Sequence, residues 1–89
     1  MQTIHKYPFP RLNGRDQFVL TMPAGATILE FANQTGHPCV WAQVDPGELA
    51  QNDRMFTIVG TGREVPAGGT YIGTIHNPGL VWHLFEVTP

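Results

Sequence analysis

The sequence predicts an all-β fold of about seven short antiparallel strands, built as a small sandwich or partly open barrel. Three observations predict it. Short apolar runs, several of them alternating with polar residues, are bounded by Gly, Pro, Asn and Asp clusters roughly every 8–12 residues. No window sustains apolar residues at helical spacing between breakers. A phrase also occurs twice: Met22-Pro23-Ala24-Gly25-Ala26-Thr27-Ile28-Leu29 returns as Val65-Pro66-Ala67-Gly68-Gly69-Thr70-Tyr71-Ile72. Each copy sets an apolar residue before Pro-Ala-Gly, then a small residue, then Thr opening a β-branched or aromatic run. That order suits a turn feeding a strand.

The strands are expected at 2–7, 16–22, 27–34, 39–44, 54–60, 70–76 and 80–87. The first runs into Tyr7-Pro8-Phe9-Pro10, whose prolines remove ladder donors, so the chain leaves the sheet or follows an edge there. Asn13-Gly14 is a turn signal before the second strand. In that strand Phe18, Leu20 and Met22 point one way and Val19 and Thr21 the other, the alternation of a half-buried strand. The third begins at Thr27, with one short helical turn near Leu29–Gln34 tolerated. Asp45 to Asp53 is the most polar stretch and reads as a surface loop with at most one helical turn. The last strand is apolar on both faces: Leu80, Trp82 and Leu84 on one, Val81, Phe85 and Val87 on the other. Such a strand is central in a closed structure or covered by a partner subunit. Val81, Phe85 and Val87 are therefore the expected oligomer interface, with cover by the chain's own loops as the alternative.

Gly36 and Gly79 keep the offset of the repeated phrase, and each is followed by a Val-Trp pair, Val40-Trp41 and Val81-Trp82. Two similar halves would suit a pseudo-symmetric fold. Pro at the second turn position and Gly at the third is also the standard solution for a type II turn, so duplication and convergence both stay open.

A chain of 89 residues is read as one domain, 1–89, which buries only roughly 60–65% of its unfolded surface, so a homo-oligomer would help its stability. The net charge is −2, and the five basic residues, Lys6, Arg11, Arg15, Arg54 and Arg63, are scattered. No basic stripe exists for a phosphate backbone, so no nucleic-acid partner is expected. No run approaches 18 apolar residues, so no membrane partner is expected either. The N-terminus lacks the apolar core of a secretory signal, and the lone Cys39 fits a reducing cytosol.

Candidate chemistry is sparse. His5, His37, His76 and His83 invite a metal, and a hairpin at Asn77-Pro78-Gly79 would set His76 and His83 on one face at ~7–8 Å diagonal spacing. Further ligands fall in no metal spacing, so no metal and no cofactor are expected. Gly60-Thr61-Gly62-Arg63 follows a strand as a phosphate loop does, but Val65 stands where a third glycine belongs and Pro66 opens a turn rather than a helix. Arg63 can still meet a phosphate or carboxylate. The chain contains no serine, and Cys39 sits in an apolar strand, so no catalytic residue is assigned and an enzyme is not expected. Trp41 and Trp82 suit core filling or stacking on a flat ligand, and with Arg54 and Arg63 one of them would make a nucleotide-sized pocket. Trp41, Arg54, Arg63, His76 and His83 are the candidate ligand or partner contacts.

The phrases Ile4-His5-Lys6-Tyr7, Met22 to Ile28, Trp41-Ala42-Gln43-Val44-Asp45-Pro46, Phe56 to Gly62 and Leu84-Phe85-Glu86 resemble a family of small proteins of tailed phages and prophages with no assigned activity. The resemblance covers nearly the whole chain, in turn and strand words rather than catalytic ones. It implies action in the host cytoplasm. Three functions follow as expectations: a non-enzymatic binding protein that captures a host protein or small signalling molecule, a structural or assembly part of the virion, or a nucleotide- or sugar-acting enzyme in which His76, His83 or Arg63 converge.

Overall fold

The computed structural model describes residues 1–11 and 15–88, and the Asn13-Gly14 turn lies outside the described residues. Seven strands run in chain order: β1 (Thr3–Pro8), β2 (Gln17–Pro23), β3 (Thr27–Gln34), β4 (His37–Val44), β5 (Gln51–Gly60), β6 (Thr70–Asn77) and β7 (Leu80–Val87). All neighbours pair antiparallel, in a three-stranded sheet of order β1-β4-β3 and a four-stranded sheet of order β2-β5-β7-β6. The two sheets make a sandwich, not a closed barrel. Two expectations are corrected. The segment near Leu29–Gln34 is strand throughout, because Phe31 faces inward opposite Val40 and is buried. β5 begins at Gln51, since Asn52 and Asp53 pair with Met22 and Thr21, and the Thr21 hydroxyl lies 2.6 Å from Asp53 Oδ1.

Alternation sets the core. In β2, Phe18, Leu20 and Met22 are buried while Val19 and Thr21 are exposed. Beside them in the same sheet are Phe56, Ile58, Ile75 and Leu84, and facing them from the three-stranded sheet are Phe31, Val40, Ala42 and Val44. Full burial of each large apolar side chain contributes about 1.5–3 kcal/mol before entropy is counted. Phe9 closes one side of the sandwich, with ring centroids 4.5 Å from Phe18 and 5.2 Å from Phe31. On the other side β3 lies along β6, where Asn33 Nδ2 donates to Asn77 Oδ1 at 2.8 Å. Gly73 faces Phe31 there, and a methyl added to it would stand at an ordinary contact distance of 3.4 Å from Phe31 Cβ.

The repeated phrase is a repeated structure. Every pairing of the β3–β4 hairpin recurs in β6–β7: Thr27↔Gln43 becomes Thr70↔Glu86, a shift of 43 at both partners, and Gln34↔His37 becomes Asn77↔Leu80. Even the bulges correspond, at Leu29 and Ile72. β1 on β4 corresponds to β5 on β7, since Thr3↔Val44 becomes Met55↔Val87, a shift of 52 in the first strand and 43 in the second. The Pro-Ala-Gly turns match too: Gly25 and Gly68 have φ of 81° and 70°, and Ala26 and Gly69 each donate to the carbonyl of Pro23 or Pro66 at 3.2 Å. This is a type II turn as expected, but Pro23 and Pro66 occupy its first position rather than the second, and Gly25 and Gly68 the third.

The halves use opposite faces. In β1-β4-β3 the inward residues are Val40, Ala42 and Phe31, whose counterparts His83, Phe85 and Thr74 lie on the outer face of the four-stranded sheet. The inward residues of β5-β7-β6, Phe56, Ile58 and Leu84, correspond to Ile4, Lys6 and Trp41 on the outer face of the three-stranded sheet. One face of the first half thus packs on the opposite face of the second, a head-to-tail arrangement within one chain.

The connections obey the same logic. In each half the first and second strands flank the third, so the chain must cross it. In the first half the chain passes on the core side, where Phe9 packs and β2 joins β5. In the second half residues 61–69 cross over the outer face of β7: Thr61 Oγ1 lies 2.8 Å from His83 Nε2, and Gly69 abuts Phe85. That crossing covers Thr57 and Val59, which are buried although they point away from the core.

Candidate functional site

An open cleft of about 860 Å³ is walled by the end of β5, the start of the 61–69 crossing and the tip of the β6–β7 hairpin. Gly60 leaves room for it, since it carries no side chain and its pairing is with Trp82 of β7. Arg63 and Glu64 stand on one wall, Trp82 and Val81 on another, and Asp16 and Thr57 complete it. Arg63 is held by its backbone, which donates to the Gly60 carbonyl at 3.1 Å, while its side chain is exposed. Thr57 is 8% exposed, and its hydroxyl makes no hydrogen bond among the described residues. A buried hydroxyl of this kind is costly unless something pairs with it.

Beneath the crossing runs a chain of hydrogen bonds. The Tyr71 hydroxyl is 2.5 Å from Thr74 Oγ1, which is 2.9 Å from His83 Nδ1, and Thr61 Oγ1 closes the chain at His83 Nε2. Both ring nitrogens of His83 are therefore engaged by hydroxyls. His76 shares the face of His83 across a two-residue Pro78-Gly79 turn, as the diagonal pairing requires, but it is exposed. Among the described residues no three His, Cys, Asp or Glu side chains converge as a metal set would.

Of the candidate residues, the cleft gathers Arg63 and Val81, with His83 bonded to its wall. Trp82, rather than Trp41, lines the cleft together with Arg63. Trp41 lies on the outer face of the three-stranded sheet, between Lys6 and Glu30. Arg54 is at the far end of β5, clamped to Glu86 through Nε at 2.6 Å and Nη2 at 2.8 Å, and it also donates to the Ala26 carbonyl at 2.5 Å. The hydrogen bond to Glu86 pushes the Arg54 pKa further up, against desolvation, with Coulomb attraction adding to it. A forked pair of this geometry ties β5, β7 and the first Pro-Ala-Gly turn together. Sequence reasoning missed Thr57, Thr61, Thr74 and Asp16. Only the odd-numbered alternation along β5 hinted that Thr57 shares an outward face with Val59.

Over residues 1–89 the chain matches the model of a family described as a domain of unknown function, DUF7352. The chain belongs to this family. No curated protein and no solved structure matches it. The family's description assigns no function.

Proposed function

We propose that this protein is a non-enzymatic accessory binding protein of a tailed phage or prophage, acting in the host cytoplasm by capturing a host protein or a small signalling molecule through the cleft beside Arg63. The observation that carries the reading is the cleft itself: an exposed guanidinium, a half-buried indole and a buried unpaired hydroxyl on walls of fixed backbone. Arg63 supplies a forked donor for phosphate or carboxylate, and Trp82 supplies a flat apolar surface, the combination that small anionic ligands with rings use. The phage setting rests on the resemblance of the sequence phrases.

Native mass spectrometry of the protein purified from a bacterial host tests this directly. Added ligand mass, or a co-purified host protein, that persists in Trp41→Ala and is lost in Arg63→Ala is the expected result. Capture unaffected by Arg63→Ala would remove the cleft from the account. A second reading, a structural or assembly part of the virion, is favoured by the stacked internal repeat, because head-to-tail packing of like units is how extended assemblies are built. Mass spectrometry of purified particles separates the two.

A further inference from the structure

The two sheets differ in how their outer surfaces are covered. That of the four-stranded sheet is crossed by residues 61–69 of the same chain, which reach His83 and Phe85. That of β1-β4-β3 carries exposed groups across its width: Ile4 is 58% and Leu29 47% exposed, Lys6 and Glu30 are exposed, and Trp41 is half-buried. Leu29 belongs to this surface because it is the bulged residue whose counterpart, Ile72, packs into the core from the corresponding face of the second half.

One row of this surface is ordered by charge. Trp41 pairs with Lys6 on one side and with Glu30 on the other, so a cation, an indole and an anion stand in line across the sheet. The same row in the second half is Ile58, Leu84 and Gly73, which lies in the core against the other sheet. From this we infer that a second copy of the chain pairs on the outer surface of β1-β4-β3, about a two-fold axis that runs along β4. Such an axis keeps each level of the sheet in place and exchanges β1 for β3. The two Trp41 indoles then meet at the centre, Lys6 of each copy faces Glu30 of the other, and Ile4 of each copy comes down near Leu29 of the other.

Charge selects this axis. A two-fold axis running across the strands would set Lys6 on Lys6 and Glu30 on Glu30, which like-charge repulsion penalises. Lys6 Nζ donates to Gln34 Oε1 at 2.6 Å within its own chain, and an ammonium keeps two further protons for a carboxylate. The strands of the two copies run close to the common axis, as in the aligned class of sheet packing at about 30°. Three strands of six to eight residues present a surface of roughly 15 Å by 25 Å, so the pairing buries about 900 Å² in total. That is below the standard size of specific interfaces, and the dissociation constant is expected on the order of 100 µM.

Sedimentation equilibrium over a concentration series, from about 10 µM to about 1 mM, tests it with charge reversals in the exposed row. Wild type is expected to pass from monomer to dimer in that range and no further, because a two-fold contact uses the same surface on both copies. Lys6→Glu and Glu30→Lys each set two like-charged pairs in the contact and are expected to weaken it at least about tenfold. An equimolar mixture of those two variants, and the double variant Lys6→Glu/Glu30→Lys, restore opposite charges at both places and are expected to associate as wild type does. Unchanged circular dichroism and melting temperature show that the variants fold. A wild type that stays monomeric across the series, or that grows beyond a dimer, overturns the inference. So does association that either reversal leaves at wild-type strength or that the mixture fails to restore, since neither outcome comes from Lys6 meeting Glu30 across the axis.

Discussion

The two halves of this molecule share a backbone plan and differ in which surface they bury. Phe56 and Ile4 occupy the same position relative to β7 and β4, yet Phe56 is fully buried and Ile4 is 58% exposed. Lys6 and Ile58 differ in the same sense, as do Trp41 and Leu84. The difference teaches that a three-stranded unit of this plan has no fixed inside. The side chains placed on one surface decide which way it faces, in line with the period-two alternation of a strand.

The sharpest way to break the comparison is to truncate the matched pair. Phe56→Ala is expected to cost about 3–5 kcal/mol, a large part of the roughly 5–10 kcal/mol of a domain this small, whereas Ile4→Ala should stay within about 0.5 kcal/mol. Denaturant melts of both variants check this, and similar losses would show that the outer face is also packed. Next in size is Arg54→Ala, which strands Glu86 and the Ala26 carbonyl and is expected to cost about 2–3 kcal/mol. The counterparts of Arg54 and Glu86 in the first half are Gln2 and Gln43, so Gln43→Ala should cost little. Thermal unfolding of both variants measures the contrast.

The turns give the smaller effects. Ala26 and Gly69 are equivalent, but a methyl at Gly69 would meet Pro66 Cγ at 3.0 Å and its carbonyl at 3.2 Å. Gly69→Ala is therefore expected to destabilise by about 1 kcal/mol, and a neutral result would mean the second turn relaxes to the shape of the first. Thr35 and Pro78 are equivalent hairpin positions with different solutions. Thr35 holds a φ of 50° and Gly36 one of 80°, a type I′ turn, which a β-branched residue fills poorly. Thr35→Asn should stabilise by about 0.5 kcal/mol, raising the melting temperature by a few degrees.

Most of the fold was legible because its signals are local. Pro-Ala-Gly followed by Thr located two turns and two strand starts, and the alternation of Phe18, Leu20 and Met22 identified the buried face of β2. The two apolar faces of β7 called for cover on both sides, in a closed structure, by a partner or by the chain's own loops; β7 is an inner strand of an open sandwich, and residues 61–69 of the same chain lie over its outer face. What stayed hidden depends on pairing between distant segments. Whether the echo was duplication or convergence turns on register, visible only when Thr27↔Gln43 is set against Thr70↔Glu86. The candidate site was legible in part for the same reason. Arg63 could be singled out beside a glycine-rich strand end, but its partner Trp82 and the buried Thr57 are brought to it by the crossing of residues 61–69, which no local pattern announces. Arg54 and Arg63 are close in sequence, yet β5 is straight and carries them to opposite ends.

The matched registers also bear on how the chain finds its native state. The hairpins β3–β4 and β6–β7 close locally and quickly, each presenting one free edge of the same length and spacing. β1 and β5 must then choose between two templates that the backbone alone does not distinguish, and a wrong choice leaves a tangled or exchanged molecule. The side chains discriminate. Phe56 and Ile58 laid against β4 would hold two large apolar groups in water beside Trp41, and Lys6 laid against β7 would drive an ammonium into the core beside Leu84. The exposed lysine in the middle of β1 therefore disfavours pairing of β1 with β7.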